Sequence, residues 1–225
     1  MTFSISARCP DTGMFGVAVS SSSPCVAARC AHVRAGVGAV ATQNITDPRL
    51  GPQGLDLMAK GLSATDALAE LKRVAPHLDY RQLALVDTQG RTASFSGANT
   101  LGTNRVAMAE GVVAAGNLLS DPGVPAAMVA AFQAGAGRPL GDRLITAMRA
   151  AVKAGGEEGP VHSAGMLLAR DVAWPVADLR IDWSEADPIE DLSVLWDRWK
   201  GEMEAYVCRA LNPTEAPKYG VPGDL

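Results

Sequence analysis

The residue with the clearest chemical potential is Thr2, which directly follows the initiator methionine. Methionine is normally removed when the next residue is small, and Thr2 then becomes the N-terminal residue. Its hydroxyl would be the nucleophile and its own α-amine the base. Because an α-amine has a pKa of about 7.7–8.0, a useful fraction is neutral near pH 7 without help from a histidine. The position predicts an N-terminal nucleophile, although many chains without such chemistry also begin Met-Thr.

Other short polar residues end predicted strands and could line the same cleft. Asn117 follows Gly116 at a strand end, where its amide could donate to a developing oxyanion; a turn asparagine is the alternative. The candidate substrate-binding residues are Ser20, Ser21, Asn44 and Ser163. A serine at a strand end also serves as a capping or turn residue, so both interpretations remain open for these positions.

Sequence motifs of common cofactor and metal sites are absent. The chain has no GxxxxGKS loop, no GxGxxG that opens a helix after a strand, no GxSxG and no HExxH. Four cysteines form no CxxC pair and only three histidines are available, so we predict neither a metal site nor a cofactor. Cys9 and Cys25 have no obvious histidine neighbour and are predicted to be inert buried thiols.

Composition and charge exclude several classes of partner. Of the 225 residues, 48% are hydrophobic and 20% are charged, which is typical of a globular chain. The net charge of −4 and the lack of long runs of like charge argue against binding to nucleic acid. No apolar stretch approaches the length of a membrane span. Since no basic segment with a long apolar stretch opens the chain, we expect a cytoplasmic protein. The partner we expect is a small-molecule substrate.

The elements that must position these residues are predicted from periodicity and turn chemistry. We expect strands at 2–8, 15–21, 36–43, 82–87, 91–96, 111–118, 163–169 and 177–182, and helices at 51–61, 64–75, 122–134, 140–154 and from 188 to about 206. Runs of strands separated by helical pairs do not match alternating βαβ units. The order predicts an α+β fold in which two mostly antiparallel sheets stack face to face and helical pairs cover the outside.

Domain organisation and assembly follow from the length and from the last helix. We predict a single domain over residues 1–210 and a Pro- and Gly-rich tail over 211–225. The last helix carries an apolar stripe wider than one sheet needs, which includes Trp196 and Trp199. We predict that this stripe forms a two-fold homodimer; packing onto the sheets of the same chain is the alternative.

Several segments of the chain are similar to one bacterial family. The matching segments are residues 2–8, 10–13, 15–21, 34–43, 51–55, 116–119 and 162–164. They resemble a family catalogued as a domain of unknown function (number 1028), which is placed with the N-terminal nucleophile (Ntn) hydrolases. One departure is Leu50, where the family tends to carry a tyrosine. The resemblance covers roughly residues 2–200 and implies a four-layer αββα sandwich, in agreement with the order of elements above.

The same resemblance implies roles for two residues in cleavage of an amide bond, in which Asn117 would serve as the oxyanion donor on the strength of its strand-end position. Thr2 matches the superfamily nucleophile. Arg34 lies thirty-two residues beyond Thr2, similar to the essential lysine of proteasome-type members. Because arginine stays protonated, we expect Arg34 to orient charge or to bind a substrate carboxylate, with a structural salt bridge as the alternative. If Met1 is retained, the α-amine is blocked, and the alternative function is an Ntn-fold protein that binds a small ligand without catalysis.

Overall fold

Ten strands, seven α-helices and one short 3₁₀ turn are found in the computed structural model, which describes residues 1–221. The strands are β1 Thr2–Arg8, β2 Phe15–Ser21, β3 Ala31–Arg34, β4 Gly38–Asn44, β5 Arg81–Asp87, β6 Thr92–Ser96, β7 Arg105–Ala109, β8 Val112–Asn117, β9 Ser163–Ala169 and β10 Ala177–Ile181. The helices are α1 Ala27–Cys30, α2 Leu50–Ala59, α3 Ala64–Val74, α4 Val124–Ala134, α5 Leu140–Lys153, α6 Pro188–Trp199 and α7 Met203–Leu211. Among these described residues, no helix is long and apolar enough to cross a lipid bilayer.

The strands form two antiparallel sheets. The larger sheet has six strands in the order β10-β9-β2-β1-β8-β7, and the smaller has four in the order β3-β4-β5-β6. The two hairpins predicted from turn residues, β1–β2 and β5–β6, are both formed. The strand β1 therefore lies in the middle of the larger sheet, between β2 and β8.

Three apolar clusters separate four layers. One cluster joins the larger sheet to α4, α5 and α6, and another joins the smaller sheet to α2 and α3. The third contains residues of both sheets and lies between them. The predicted α+β, four-layer αββα sandwich is confirmed. This order of layers is the one that the resemblance to Ntn hydrolases implied.

The alternation of side chains along β1 determines the direction in which the polar residues at the start of the chain point. Phe3 and Ile5 are fully buried against the helices that cover the larger sheet. Side chains alternate along a strand, so Thr2, Ser4 and Ser6 face the smaller sheet, and the Ser4 hydroxyl reaches Gln43 there. The period of two thus places Thr2 at the end of the space between the sheets.

The structure differs from the predicted elements in several places. The edge strands β3 and β7 were not predicted, because each is short and partly exposed and so has weak alternation. Helix α4 begins at Val124 rather than at Pro122, since Asp121 accepts a hydrogen bond from Gly123 N in a turn before the helix. The last predicted helix is divided into α6 and α7 by residues 200–202, which include Gly201.

The tryptophan stripe packs within the chain. Trp196 is buried among residues of α5 and the larger sheet, and its indole N–H donates to Asp142 at 2.7 Å. Trp199 packs on the same cluster and donates to the Val176 carbonyl at 3.0 Å. These contacts support the intramolecular alternative for the stripe, so it no longer argues for association, and the homodimer stays a prediction.

The last helix extends one residue into the predicted tail. Helix α7 ends at Leu211. The Arg209 guanidinium donates to the Pro217 carbonyl and stacks on Tyr219, so this part of the predicted tail folds back onto α7. The remainder of the predicted tail, residues 222–225, lies outside the described residues.

Candidate active site

Thr2 lies at the amino end of β1, where the space between the sheets opens. It is 5% exposed, and its cross-strand partner on β8 is Asn117. The Thr2 hydroxyl donates to the carbonyl of Met1 and lies 3.4 Å from Ser21 Oγ. Since cross-strand partners project to the same face of a sheet, the structure brings Thr2, Ser21 and Asn117 together, as the sequence predicted.

A chain of hydroxyls connects Thr2 to a cation. The Ser21 hydroxyl donates to the Met1 carbonyl and lies 2.9 Å from Ser23 Oγ. Ser23 Oγ in turn accepts from Arg29 Nη2 at 2.6 Å. Because the guanidinium can only donate, it leaves the Ser23 hydroxyl free to donate to Ser21, which then donates to a carbonyl at Thr2. The positive charge of Arg29 thus polarises the hydroxyls toward the site.

Buried amides beneath Thr2 form a hydrogen-bond network of fixed direction. Gln82 Nε2 donates to the carbonyl of Gly116 at 3.0 Å. A carbonyl can only accept, so the other end of this amide, Gln82 Oε1, must be the acceptor. It receives Gln43 Nε2 at 2.7 Å and Asn117 Nδ2 at 3.2 Å. Gln43 Oε1 is left to accept from the Ser4 hydroxyl at 2.6 Å.

This direction changes the role available to Asn117. The residue is fully buried, its amide nitrogen is bound to Gln82, and its oxygen Oδ1 has no partner in the structure. The sequence predicted that Asn117 donates to an oxyanion. Its second N–H remains for that role. The unpartnered atom is an acceptor, and it suits an N–H group next to Thr2.

A carboxylate that the sequence did not predict crosses the amino end of β1. Glu157 is 6% exposed, forms a β-bridge to Leu119 beyond β8, and accepts from Ser22 N beyond β2 at 3.2 Å. Burial raises the pKa of the Glu157 carboxyl to about 7, against the attraction of the N-terminal amine. The second oxygen, Oε1, has no partner among residues 1–221.

Arg34 is not brought to this site. It pairs with Gly38 on β4, while the residue of β4 that reaches β1 beside Thr2 is Gln43. Gln43 lies five residues along the strand from Gly38, or roughly 17 Å away. The Arg34 side chain instead forms an exposed salt bridge of 2.9 Å with Asp56 of α2. The structure therefore corrects the role expected for Arg34 in favour of the salt-bridge alternative.

The predicted substrate-binding residues other than Ser21 hold the fold around the site. Ser20 faces the helices with its neighbour Ala18 and donates to the Ser163 carbonyl at 2.9 Å. Ser163 Oγ donates to the Ser23 carbonyl at 2.6 Å and accepts from Val26 N, so it fixes the loop that carries Ser23. Both groups of the Asn44 amide are bound, to the Tyr80 carbonyl and to Leu101 N.

Three residues that contact the site were missed for different reasons. Glu157 is brought in by the loop after α5, and no local pattern marks a carboxylate that will be buried by tertiary structure. Arg29 and Ser23 lie in the segment after β2, where several serines and arginines are close in sequence. Spacing alone does not tell which of them points inward, so only the resemblance guided the choice of Arg34.

A small cavity adjoins Glu157. It has a volume of about 260 Å³ and is lined by Phe3, Glu157, Gly159 and Val161, among others. The side chain of Met1 reaches Gly159, which places the first residue of the chain beside this cavity. In residues 1–221, no group of three or more His, Cys, Asp and Glu side chains is arranged to hold a metal ion.

Comparisons with known proteins place the chain in a family. Residues 2–192 match the model of a family described as "Family of unknown function (DUF1028)". The crystal structure of protein SPO2555 from Silicibacter pomeroyi, of the same family, is 31% identical, with a TM-score of 0.81 over 88% of each chain. Anbu, the ancestral beta-subunit, from Yersinia bercovieri is 10% identical, with a TM-score of 0.42 over 90% of this chain and 96% of its own. No curated protein matched the chain. The chain therefore belongs to the DUF1028 family of unknown function.

Proposed function

We propose that this protein is an Ntn-type amidohydrolase that uses Thr2, freed of Met1, to cleave an amide bond in a small cytoplasmic substrate. The observation that carries the proposal is the convergence of two hydroxyls on one carbonyl. With Met1 present, Thr2 and Ser21 both donate to the Met1 carbonyl oxygen. This arrangement supports a site in which a carbonyl carbon lies against Thr2 Oγ1 while Ser21 binds the oxygen.

The proposed reaction needs groups of this chain alone. Thr2 Oγ1 attacks the amide carbon, and its proton passes to the α-amine of the same residue. The oxyanion accepts the Ser21 hydroxyl, which Ser23 and Arg29 polarise. The carbon–nitrogen bond then breaks, the ammonium gives its proton to the leaving amine, and an ester remains on Thr2. Water, deprotonated by the α-amine, hydrolyses the ester and restores the hydroxyl.

The remaining candidates take revised places in this proposal. Asn117 orients the site through its amide oxygen, and Ser21 replaces it as the oxyanion donor. Ser20, Ser163 and Asn44 support the loops around the cleft through the hydrogen bonds described above. Arg34 has no role in the reaction.

The test does not require the natural substrate. Protein with Thr2 as its first residue is treated with a β-lactone, which acylates an activated hydroxyl, and the labelled residue is identified by peptide mass spectrometry. We expect one acyl group on Thr2, none when Met1 is retained, and none in Thr2→Ala. The control is Thr65→Ala, on the exposed start of α3, which keeps full labelling.

Two outcomes would contradict the proposal. One is an absence of acylation in the folded, Met1-free protein; the other is equal hydrolysis of a panel of small amides by wild type and Thr2→Ala. The second outcome, with ligand binding retained, would favour the alternative of an Ntn-fold protein that binds a small molecule without catalysis. Intact-mass measurement of protein from its native host shows directly whether Met1 is removed.

A further inference from the structure

The position of Glu157 in the fold places its carboxylate at the N-terminus of the chain. Its backbone bridges to Leu119 beyond β8, and its carboxylate accepts from Ser22 N beyond β2. In the larger sheet, β1 lies between β8 and β2. A side chain that spans the two outer strands must pass over the end of the middle one, so the Glu157 carboxylate lies across the amino end of β1.

Two buried oxygen atoms near this end have no hydrogen-bond donor in the described part of the chain. They are Glu157 Oε1 and Asn117 Oδ1. Buried polar atoms are rarely left unpaired, because each one costs about 1–3 kcal/mol when its partner is missing. Both atoms are acceptors: Asn117 lies beside Thr2 on β8, and the Glu157 carboxylate lies across the amino end of β1. The site therefore lacks a group with several N–H donors, and an ammonium has that character.

We propose that the Glu157 carboxylate binds the α-ammonium of Thr2 once Met1 has been removed. The inference rests on the proposed function in one respect, that Thr2 is the N-terminal residue of the working protein. With Met1 present, the amine belongs to the preceding residue and already interacts with Glu157. Removal of Met1 moves the same charge by one residue, onto the backbone nitrogen of Thr2.

Glu157 is a positioning residue in this arrangement. Its oxygen Oε2 is fixed by Ser22 N, so Oε1 can hold the amine in one orientation beside Thr2 Oγ1. Burial favours the neutral carboxyl and a nearby ammonium favours the carboxylate. Within residues 1–221, the charged group that acts on Glu157 is the terminal amine, and Ser22 is its hydrogen-bond donor. The carboxylate stabilises the ammonium in return, and so raises the pKa of the base.

The test measures the α-amine itself. The pKa of the Thr2 amine in the Met1-free protein is obtained from the pH dependence of its acylation rate, read by mass spectrometry of the N-terminal peptide. In Glu157→Gln we expect this pKa to fall by about one unit, because a carboxylate within about 4–6 Å shifts a pKa by that much or more. The matched control is Glu158→Gln, an exposed carboxylate one residue further, which leaves the pKa unchanged.

A second measurement needs no substitution. The titration of the Glu157 side-chain carboxyl is followed by carbon NMR in the Met1-free protein before and after acetylation of its α-amine. Acetylation removes the positive charge, so the pKa of Glu157 should rise. An amine pKa that is the same in folded Glu157→Gln and in wild type overturns the inference, as does a Glu157 titration that acetylation does not move. Neither readout depends on hydrolysis, so failure of the proposed activity is distinguished from failure of this contact.

Discussion

The interior of the sandwich and its two outer layers share the same strands but differ in their side chains. The cluster between the sheets is built mainly from small residues, among them Ala27, Ala31, Ala39, Ala41, Ala84 and Ala115, with valines and one phenylalanine. The outer clusters contain the leucines and methionines and also Trp196. A strand such as β1 therefore presents large apolar groups to the helices and small or polar groups to the other sheet.

This difference separates stability from chemistry. Burial of large side chains gives the greater gain in free energy for each residue, so the helix-facing layers hold the fold together. Small side chains between the sheets leave room at one end, and that end is filled by the network of Ser4, Gln43, Gln82 and Asn117. A site built on rigid strands can then carry unpaired acceptors that an apolar core would exclude.

The largest effect on stability should come from the outer layer. Leu144 on α5 is fully buried in the helix-facing cluster, whereas Val17 on β2 is fully buried between the sheets. We expect Leu144→Ala to lower the free energy of unfolding by about 4 kcal/mol and Val17→Ala by about 2 kcal/mol. Urea unfolding followed by circular dichroism measures both. Equal losses would show that the interior is packed as strongly as the outer layers.

The next largest effect is a gain in stability when Glu157 is replaced, and this gain depends on pH. Glu157 has a folded-state pKa of about 7, raised from 4.5 by burial. The protonated carboxyl is thus favoured in the folded protein. The stabilisation of the folded state that results is complete below pH 4.5 and is lost as the pH rises to 7. The free energy of unfolding of Glu157→Gln, compared with that of wild type, should therefore be about 3 kcal/mol higher above pH 7 than at low pH.

Urea unfolding of the protein that retains Met1, at a series of pH values, measures this gain. Glu158→Gln is again the control and should follow the wild-type profile, because its side chain is exposed. A difference between wild type and Glu157→Gln that is constant with pH would mean that Glu157 is charged at no cost in the folded protein. The polar end would then be as stable as the rest of the interior.

A smaller loss is expected from the amide network. Gln82 is fully buried, and its oxygen is the common acceptor for Gln43 and Asn117. Gln82→Leu leaves both donors unpaired, so we expect a loss of about 2 kcal/mol in the free energy of unfolding. Gln89→Leu in the exposed β5–β6 turn is the control and should change stability by less than about 0.5 kcal/mol. A neutral Gln82→Leu would show that the network rearranges around the new side chain.

Much of the fold could be predicted because local patterns agree with the layers. The alternation of β1 and the turns of both hairpins are local signals, and Ser63 and Asp187 cap α3 and α6 as their sequences indicate. The short edge strands β3 and β7 lack such a signal, since their side chains are only half buried. The break between α6 and α7 was missed because its apolar spacing continues across Gly201.

The site was predicted less completely than the fold. Thr2, Ser21 and Asn117 lie at strand ends that register brings together, so their proximity follows from the hairpin and the neighbouring strand. Glu157 reaches the site from a loop. The direction of the Asn117 amide is set through Gln82, whose own amide is oriented by the Gly116 carbonyl. Both depend on tertiary contacts for which the sequence carries no periodic signal.

The smallest effect should come from Arg34, and it tests which arginine serves the site. Its salt bridge with Asp56 is exposed, with side chains 42% and 59% accessible, and such pairs contribute about 0–1 kcal/mol. We expect Arg34→Ala to lower the free energy of unfolding by no more than about 0.5 kcal/mol and to leave β-lactone labelling of Thr2 unchanged. Arg29→Ala removes the donor to Ser23 and should slow that labelling about tenfold. If Arg34→Ala slowed labelling and Arg29→Ala did not, the cation that serves Thr2 would be the one at the far end of β4. The polar end of the interior would then extend the length of that strand, against the division into layers argued above.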